Sequence, residues 1–398
     1  MIRRTIEIQL AKLARQFPVI TITGPRQSGK TTLAQHFFAS HEYINLEEPE
    51  FRRYAEEDPK GFLADHPAPV ILDEIQRVPE LLSYIQVLAD RSPEPGRFVL
   101  TGSHQPKLRA EVSQSLAGRT GLLRLLPLSL DELTDAGFSP SRNECIHRGF
   151  LPKLYRTQAD PTAEYSSYYG TYIERDVRQL INLRFQHEFE MFIRLLAGRT
   201  GQLLNLNSLS DDVGVSSTTL AEWLNVLEAS FIIFRLPPYF ENFGKRLIKT
   251  PKIYFTEVGL AAWLLDLNSP ESVGRDPLIG SLFENMVVVE LLKFRLNRGK
   301  MPNLYFFRDQ RGFEIDLLLA ENRQLYPVEI KSARTYHADF AANLKTFCAS
   351  DRKIRPGMVV YAGDVQRSGP PAVVNFRKAA DFFRKIEEKK KGLTLKIV

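Results

Sequence analysis

Short apolar runs alternate with helical patterns through the first third of the chain. Val19-Ile20-Thr21-Ile22-Thr23, Val70-Ile71-Leu72, Arg97-Phe98-Val99-Leu100-Thr101 and Leu122-Leu123-Arg124-Leu125-Leu126 each read as a buried strand. Thr32-Leu33-Ala34-Gln35-His36-Phe37-Phe38 reads as a helix between the first two. Strands separated by helices predict a parallel, helix-covered sheet over residues 1–138, so the fold class is α/β. The turn Gly137-Phe138-Ser139-Pro140-Ser141 closes this block.

The pattern turns mainly helical over residues 150–265. Leu206–Leu220 reads as helix, Gly214 turn, and a second helix capped by Ser216. Leu220, Trp223, Leu224 and Leu227 recur at helical spacing and belong to a core. Two strand-like runs follow, Phe231–Leu236 and Lys252–Thr256. Residues 277–362 return to a mixed α/β pattern. Leu282–Leu292 reads as a helix, and Phe313–Leu319 and Tyr326–Lys331 as strands joined by a turn around Glu321–Gln324. The charge run Lys385–Lys391 reads as a solvated helix end.

Composition changes this picture little. A chain of 398 residues has room for two or three cores, and 43% hydrophobic with 25% charged residues is ordinary for a folded protein. The formal charge of +6 permits a nucleic-acid partner without demanding one. Cys145 and Cys348 lack metal-ligand spacing, as suits a reducing cytoplasm. No apolar run approaches 18 residues and no secretion signal follows Met1-Ile2-Arg3-Arg4. A cytoplasmic protein without a membrane partner is expected.

Candidate chemistry changes it more. Gly24-Pro25-Arg26-Gln27-Ser28-Gly29-Lys30-Thr31 fits G-x-x-x-x-G-K-[ST], placed between a strand and a helix as a phosphate-binding loop requires. Glycines let consecutive backbone N–H groups and the helix N-terminus, continuing into Thr32, face an anion. Lys30 would reach the β- and γ-phosphates of ATP, and Thr31 would bind Mg²⁺. Asp73 and Glu74 end the next apolar strand. Asp73 would hold the Mg²⁺ shell and Glu74 would activate the attacking water. After the following strand, Ser103 is the candidate polar group facing the γ-phosphate, with His104 as the lesser one. Arg119 would serve as an arginine finger, in cis or from a neighbouring subunit of a homo-oligomer, or is a plain surface arginine.

The helix–turn–helix and following strands match the winged-helix pattern. It would either dock on DNA through Ser217, Thr218 and Thr219, with Lys245, Arg246, Lys249 and Lys252 on phosphates, or simply pack domains together. In the C-terminal block Asp316 and Glu329 fall on adjacent strands, and Lys331 shares a face with Glu329. With Glu284 the two carboxylates would bind Mg²⁺, and Lys331 would position a water for phosphodiester hydrolysis. The alternative is a half-exposed hairpin with ordinary alternating charges.

Taken together, the P-loop, Asp73-Glu74, Thr101-Gly102-Ser103, Leu116-Ala117-Gly118-Arg119 and Pro127-Leu128-Ser129 resemble an AAA-type ATPase family common in bacteria and archaea. Tyr254–Leu260, Phe283-Glu284 and Val328-Glu329-Ile330-Lys331 resemble the C-terminal module often fused to it. The resemblance implies an AAA-type domain over 1–138, a helical linker and winged helix over 139–270, and a PD-(D/E)XK, restriction-endonuclease-like domain over 271–398. It also implies ATP and Mg²⁺ as cofactors and a DNA-related or defence-related role. His104 departs from the small residue of the family pattern, and Ile315 stands where the nuclease motif has proline. The expected function is an ATP-hydrolysing, DNA-acting protein with turnover coupled to a Mg²⁺-dependent nuclease-like domain. The alternative is a non-cleaving switch or a remodeller of a protein partner.

Overall fold

The computed structural model describes residues 1–103, 115–177, 186–240 and 250–394. Helix α1 (Glu7–Leu13) leads into β1 (Val19–Thr23), whose five residues are all buried. Helix α2 (Lys30–Phe37), β2 (Glu42–Asn45), α3 (Pro49–Glu57), α4 (Pro59–Asp65) and β3 (Val70–Asp73) follow. Then come α5 (Leu81–Arg91), β4 (Phe98–Gly102) and β5 (Thr120–Arg124). The sheet order is β2-β3-β4-β1-β5, and every pairing is parallel. Consequently the loops after β1, β3 and β4 emerge side by side at one edge, where ligands of open parallel sheets bind. Strand β5 begins two residues before its expected position, and Leu122 is exposed on this outer strand. Strand β2 had no apolar signature, because as the opposite edge strand it buries only Ile44.

Helix α6 (Leu130–Asp135) starts with a capping box between Ser129 and Glu132. Helices α7 (Arg142–Arg148), α8 (Pro152–Arg156) and α9 (Pro161–Tyr168) run into a π-helical segment, Tyr169–Val177. Helix α10 (Gln186–Gly198) precedes α11 (Leu206–Val213) and α12 (Ser217–Ala229). Gly214 takes φ 80° between α11 and α12, and Ser216 accepts from the Thr219 N–H at 3.1 Å. Leu220, Trp223, Leu224 and Leu227 are buried, as their spacing required. Strands β6 (Ile233–Leu236) and β7 (Lys252–Phe255) form an antiparallel pair.

Helices α13 (Val258–Leu264) and α14 (Pro270–Arg275) lead to α15 (Ile279–Leu296), a long helix buried along most of its length. Around it fold β8 (Leu304–Arg308), β9 (Glu314–Glu321), β10 (Gln324–Lys331), α16 (Ala342–Ser350), β11 (Met358–Tyr361), β12 (Ala372–Asn375) and α17 (Ala379–Thr394). The sheet order is β12-β11-β10-β9-β8, antiparallel from β8 to β10 and parallel from β10 to β12. Asn322 and Arg323 both have positive φ, which matches the twist of a two-residue hairpin. The C-terminal charge run differs from expectation at Glu387, which pairs with Arg298 and Lys300 and ties α17 down.

Helix α15 also grips the first sheet domain. Lys293 Nζ donates to Leu128 O at 2.8 Å, and Glu290 accepts from the Leu130 N–H at 3.0 Å. Both residues are buried, and the Lys293 ammonium lies 3.9 Å over the Phe150 ring.

Candidate functional sites

At the edge above β1 the chain turns so tightly that a Cβ on Gly24 would stand 2.0 Å from Leu125 O. Gln27 and Gly29 adopt positive φ, and Gly29 starts α2 without a side-chain cap. The first N–H groups of α2 therefore remain open to an anion. Lys30 is only 5% exposed and donates to Pro25 O at 2.9 Å. Burial lowers its pKa, opposed by the nearby Glu74 and Asp73 carboxylates. Ser28 Oγ is fully buried and has no partner.

Thr31 donates to both Asp73 oxygens, at 2.9 and 3.1 Å. Asp73 also accepts from Tyr43 at 2.9 Å and from Thr101. Glu74 is held at φ 56° and bonds Gln76, which also donates to Ser103 Oγ at 3.0 Å. Thr31 thus ties the P-loop helix to the end of β3, and Gln76 ties the loop after β3 to the one after β4. His104 lies outside the described residues.

Arg119 sits elsewhere. Its carbonyl accepts from Val19 N at 3.2 Å, at the start of β1, while the P-loop leaves the far end of that strand. Four residue steps put about 13 Å of strand between them. Its guanidinium is bonded to Asp90, with Nη2 2.9 Å from Oδ2. It does not face the P-loop of its own chain.

Arg4 was not foreseen. It is 4% exposed and lies behind the loop, donating to Ser28 O at 2.7 Å, Leu126 O at 2.6 Å and Glu132 at 3.1 Å. The middle domain closes the other side. Lys153, Arg156, Tyr168 and Tyr172 line one cavity of about 490 Å³ together with Lys30 and Glu74. The Arg26 guanidinium lies 5.5 Å from the Tyr172 ring, and the Tyr172 hydroxyl donates to Ser230 O at 2.8 Å.

These residues fit Mg²⁺-ATP. The positive-φ cradle, the buried ammonium and the orphaned Ser28 hydroxyl suit phosphate oxygens, and Thr31 with Asp73 offers the oxygen donors Mg²⁺ prefers.

The second site joins two domains. Asp316 and Glu329 lie on β9 and β10, and Asp316 accepts from the Ile330 N–H at 2.7 Å. Lys331 Nζ reaches Glu329 at 2.6 Å and Asp316 at 3.4 Å. Lys252 Nζ reaches Glu284 at 2.9 Å and Glu314 at 2.6 Å, and Tyr254 donates to Glu284 at 2.6 Å. Burial, then the Asp316 charge, pushes the Glu329 carboxyl up to about 8. Burial also raises Glu284, opposed by Lys252. Lys252 corrects an expectation. It is 3% exposed and ion-paired, so it is not a surface contact for phosphates. Lys245, Arg246 and Lys249 lie outside the described residues. Among the described residues no three Asp, Glu, His or Cys side chains converge to hold a metal. With ammonium groups standing among the carboxylates, a divalent ion does not fit this arrangement.

Comparison with known proteins gives the following. Residues 16–134 match the family model of an AAA domain. Residues 140–271 and 279–376 match two domains of unknown function, DUF8612 and DUF4143. Uncharacterized proteins of Mycobacterium bovis and Mycobacterium tuberculosis are each 32% identical over 372 residues, 91% of this chain and 80% of theirs. The solved structure of the Walker-type ATPase PABY2304 of Pyrococcus abyssi is similar over 67% of this chain and 96% of its own. It has 16% identity and a TM-score of 0.45.

Proposed function

This chain, with its P-loop AAA-type ATPase domain, belongs to the same family as the two mycobacterial proteins, and from that premise we propose an ATP-driven protein that acts on DNA. One observation carries the reading: the nucleotide cavity is walled by the P-loop on one side and by α8 and the π-helical segment on the other. Filling or emptying that cavity changes what the middle domain touches.

Lys30 neutralises the β- and γ-phosphates, and Thr31 and Asp73 hold the metal. Bound Mg²⁺ supplies charge neutralisation for the phosphate oxygens. Glu74 orients and deprotonates the attacking water, and Gln76 keeps it beside Ser103. Arg119 points away from its own cavity, which favours delivery to a neighbouring subunit of a homo-oligomer.

DNA is the proposed partner because Thr218 is exposed at the start of α12, the position of a recognition helix. The order α15-β8-β9-β10-α16-β11, with Asp316, Glu329 and Lys331 on its central strands, supports a nuclease-like module. The two free cysteines favour a reducing cytoplasm, and no described helix is long and apolar enough to cross a membrane. The test is ATPase activity with and without duplex, single-stranded and branched DNA. Stimulation by one of them is expected; equal rates with all and with none would remove DNA from the proposal.

A second reading is a switch that binds without cutting. The ammonium of Lys252 among the carboxylates favours it. Nicking of plasmid DNA that requires Mg²⁺ or Mn²⁺ and is lost in Asp316→Asn would exclude it.

A further inference from the structure

Lys293 belongs to α15 of the C-terminal domain, yet it stands behind the nucleotide cavity. Its ammonium donates to Leu128 O at 2.8 Å and lies 3.9 Å over the Phe150 ring. Leu128 itself lines the cavity from the ATPase domain. Phe150 leads into Pro152 and Lys153, which line it from the middle domain. Pro152 reaches the phosphate-binding loop: a Cβ on Gly29 would stand 3.8 Å from its Cγ. The two walls meet along a seam, where the Leu128 N–H donates to Phe150 O at 2.9 Å. One buried cation from a third domain touches both sides of that seam.

Packing alone does not require a cation there. Lys293 is 2% exposed and Glu290 3%, and their charged atoms are 3.9 Å apart. Burial lowers the Lys293 pKa, against the pull of Glu290, Glu257 and Glu132. An apolar side chain of similar length would fill the space at a lower desolvation cost. What it would lose is direction. The ammonium fixes a carbonyl and a ring at once, and Glu290 holds the Leu130 N–H of the same strap at 3.0 Å. The other end of the strap, Leu126 O, is held by Arg4, which also donates to Ser28 O in the loop.

We infer that Lys293, with Glu290 beside it, is a positioning residue for ATP: it sets the seam between the ATPase wall and the middle-domain wall without touching the nucleotide. The inference rests on reading that cavity as the ATP site. ATP affinity then depends on a residue outside the AAA domain, and the C-terminal domain is a working part of the ATPase.

The test is steady-state ATPase kinetics of the full chain, at a temperature where thermal melts show each variant folded. Lys293→Met should raise the KM for ATP on the order of 10-fold and leave kcat within about 2-fold, since Thr31, Asp73 and Glu74 keep their places. Lys293→Arg keeps a donor for Leu128 O and a cation for the ring, and should recover most of the KM. Lys293→Met leaves Glu290 buried without its cation and is at risk of not folding. Lys293→Met/Glu290→Gln removes one charge of each sign, keeps an acceptor for the Leu130 N–H and carries the same expectation. Asn285→Ala is the comparison. It removes a buried side chain of the same helix, bonded to Thr200 and Phe255, and should lower the melting temperature with the KM unchanged. An unchanged KM in the folded double variant, or an equal rise in Asn285→Ala, would overturn the positioning role and leave the ATP site standing. Turnover that survives Lys30→Ala would overturn the ATP-site reading and the inference with it.

Discussion

The guanidinium of Arg26 stands 5.5 Å from the ring of Tyr172, joining the phosphate-binding loop to the middle domain. The Tyr172 hydroxyl continues the connection to Ser230 O, at the end of α12. Only two residues separate the nucleotide loop from the helix proposed to meet DNA. Tyr172→Leu should leave ATP affinity within a few-fold, because a single cation–π contact contributes about 0.5–1 kcal/mol. It should nevertheless reduce any stimulation of ATPase by DNA. A variant that binds ATP normally and responds fully to DNA would show that this contact carries no signal.

ATP with Mg²⁺ should raise the melting temperature. At about 100-fold the dissociation constant, binding adds roughly 2.7 kcal/mol of stability. Lys30→Ala should erase this shift, and Glu74→Gln should keep it while losing turnover. Thermal melts with and without Mg²⁺-ATP check both, and an undiminished shift in Lys30→Ala would refute the site.

Arg119 is predicted to act across a subunit boundary. ATPase activity per subunit should then rise with protein concentration, and Arg119→Ala should cost on the order of 10³-fold. Mixing Arg119→Ala with Lys30→Ala subunits should restore activity at interfaces where one subunit supplies the arginine and the other the loop. Near-normal activity of Arg119→Ala alone would make it a structural partner of Asp90 and nothing more.

Arg4→Leu should destabilise the chain by about 3–5 kcal/mol, because it breaks a buried ion pair and leaves Glu132 uncompensated. ATP affinity should fall with it, since Ser28 O loses its donor behind the loop. Urea unfolding and nucleotide titration measure the two effects. Unchanged stability would mean that the loop needs no backing.

Burial pushes the Glu290 carboxyl up to about 7, against the pull of Lys293, from an ordinary value of 4.5. Between those values the folded chain holds a proton that the unfolded chain has released. Stability from this group is therefore full below about pH 4.5 and lost as pH rises towards 7. The loss is on the order of 3 kcal/mol. Glu290→Gln should flatten that part of the pH–stability curve, and an identical slope in the variant would contradict the assignment.

How much of this was legible depended on sequence distance. The P-loop, Thr31, Asp73 and Glu74 were readable because a strand, a tight turn and a helix specify the site locally. That Asp316, Glu329 and Lys331 stand together was readable, because strand alternation puts Glu329 and Lys331 on one face and the hairpin brings Asp316 alongside. Tyr43 and Thr101 come to Asp73 from neighbouring strands, and Arg4 joins Ser28 to Glu132 at the opposite end of the domain. Nothing periodic announces such pairs. Lys252 was misread for the same reason. A lysine at the head of a strand suggests a solvated wing, but the carboxylates that bury it lie 32 and 62 residues further on. Arg119 followed a turn after a gap in the regular pattern, and only the parallel register showed which edge it occupies.

Helix α15 has a mechanical consequence. Lys293 and Glu290 clamp one end to Leu128 and Leu130, and Glu284 rides about 9 Å from Glu290 and about 13 Å from Lys293 along the same rod. A buried, continuous α-helix is stiff along its axis. Its two ends therefore keep a fixed spacing, so a displacement at Leu128–Leu130 should be felt at Glu284, as through a connecting rod.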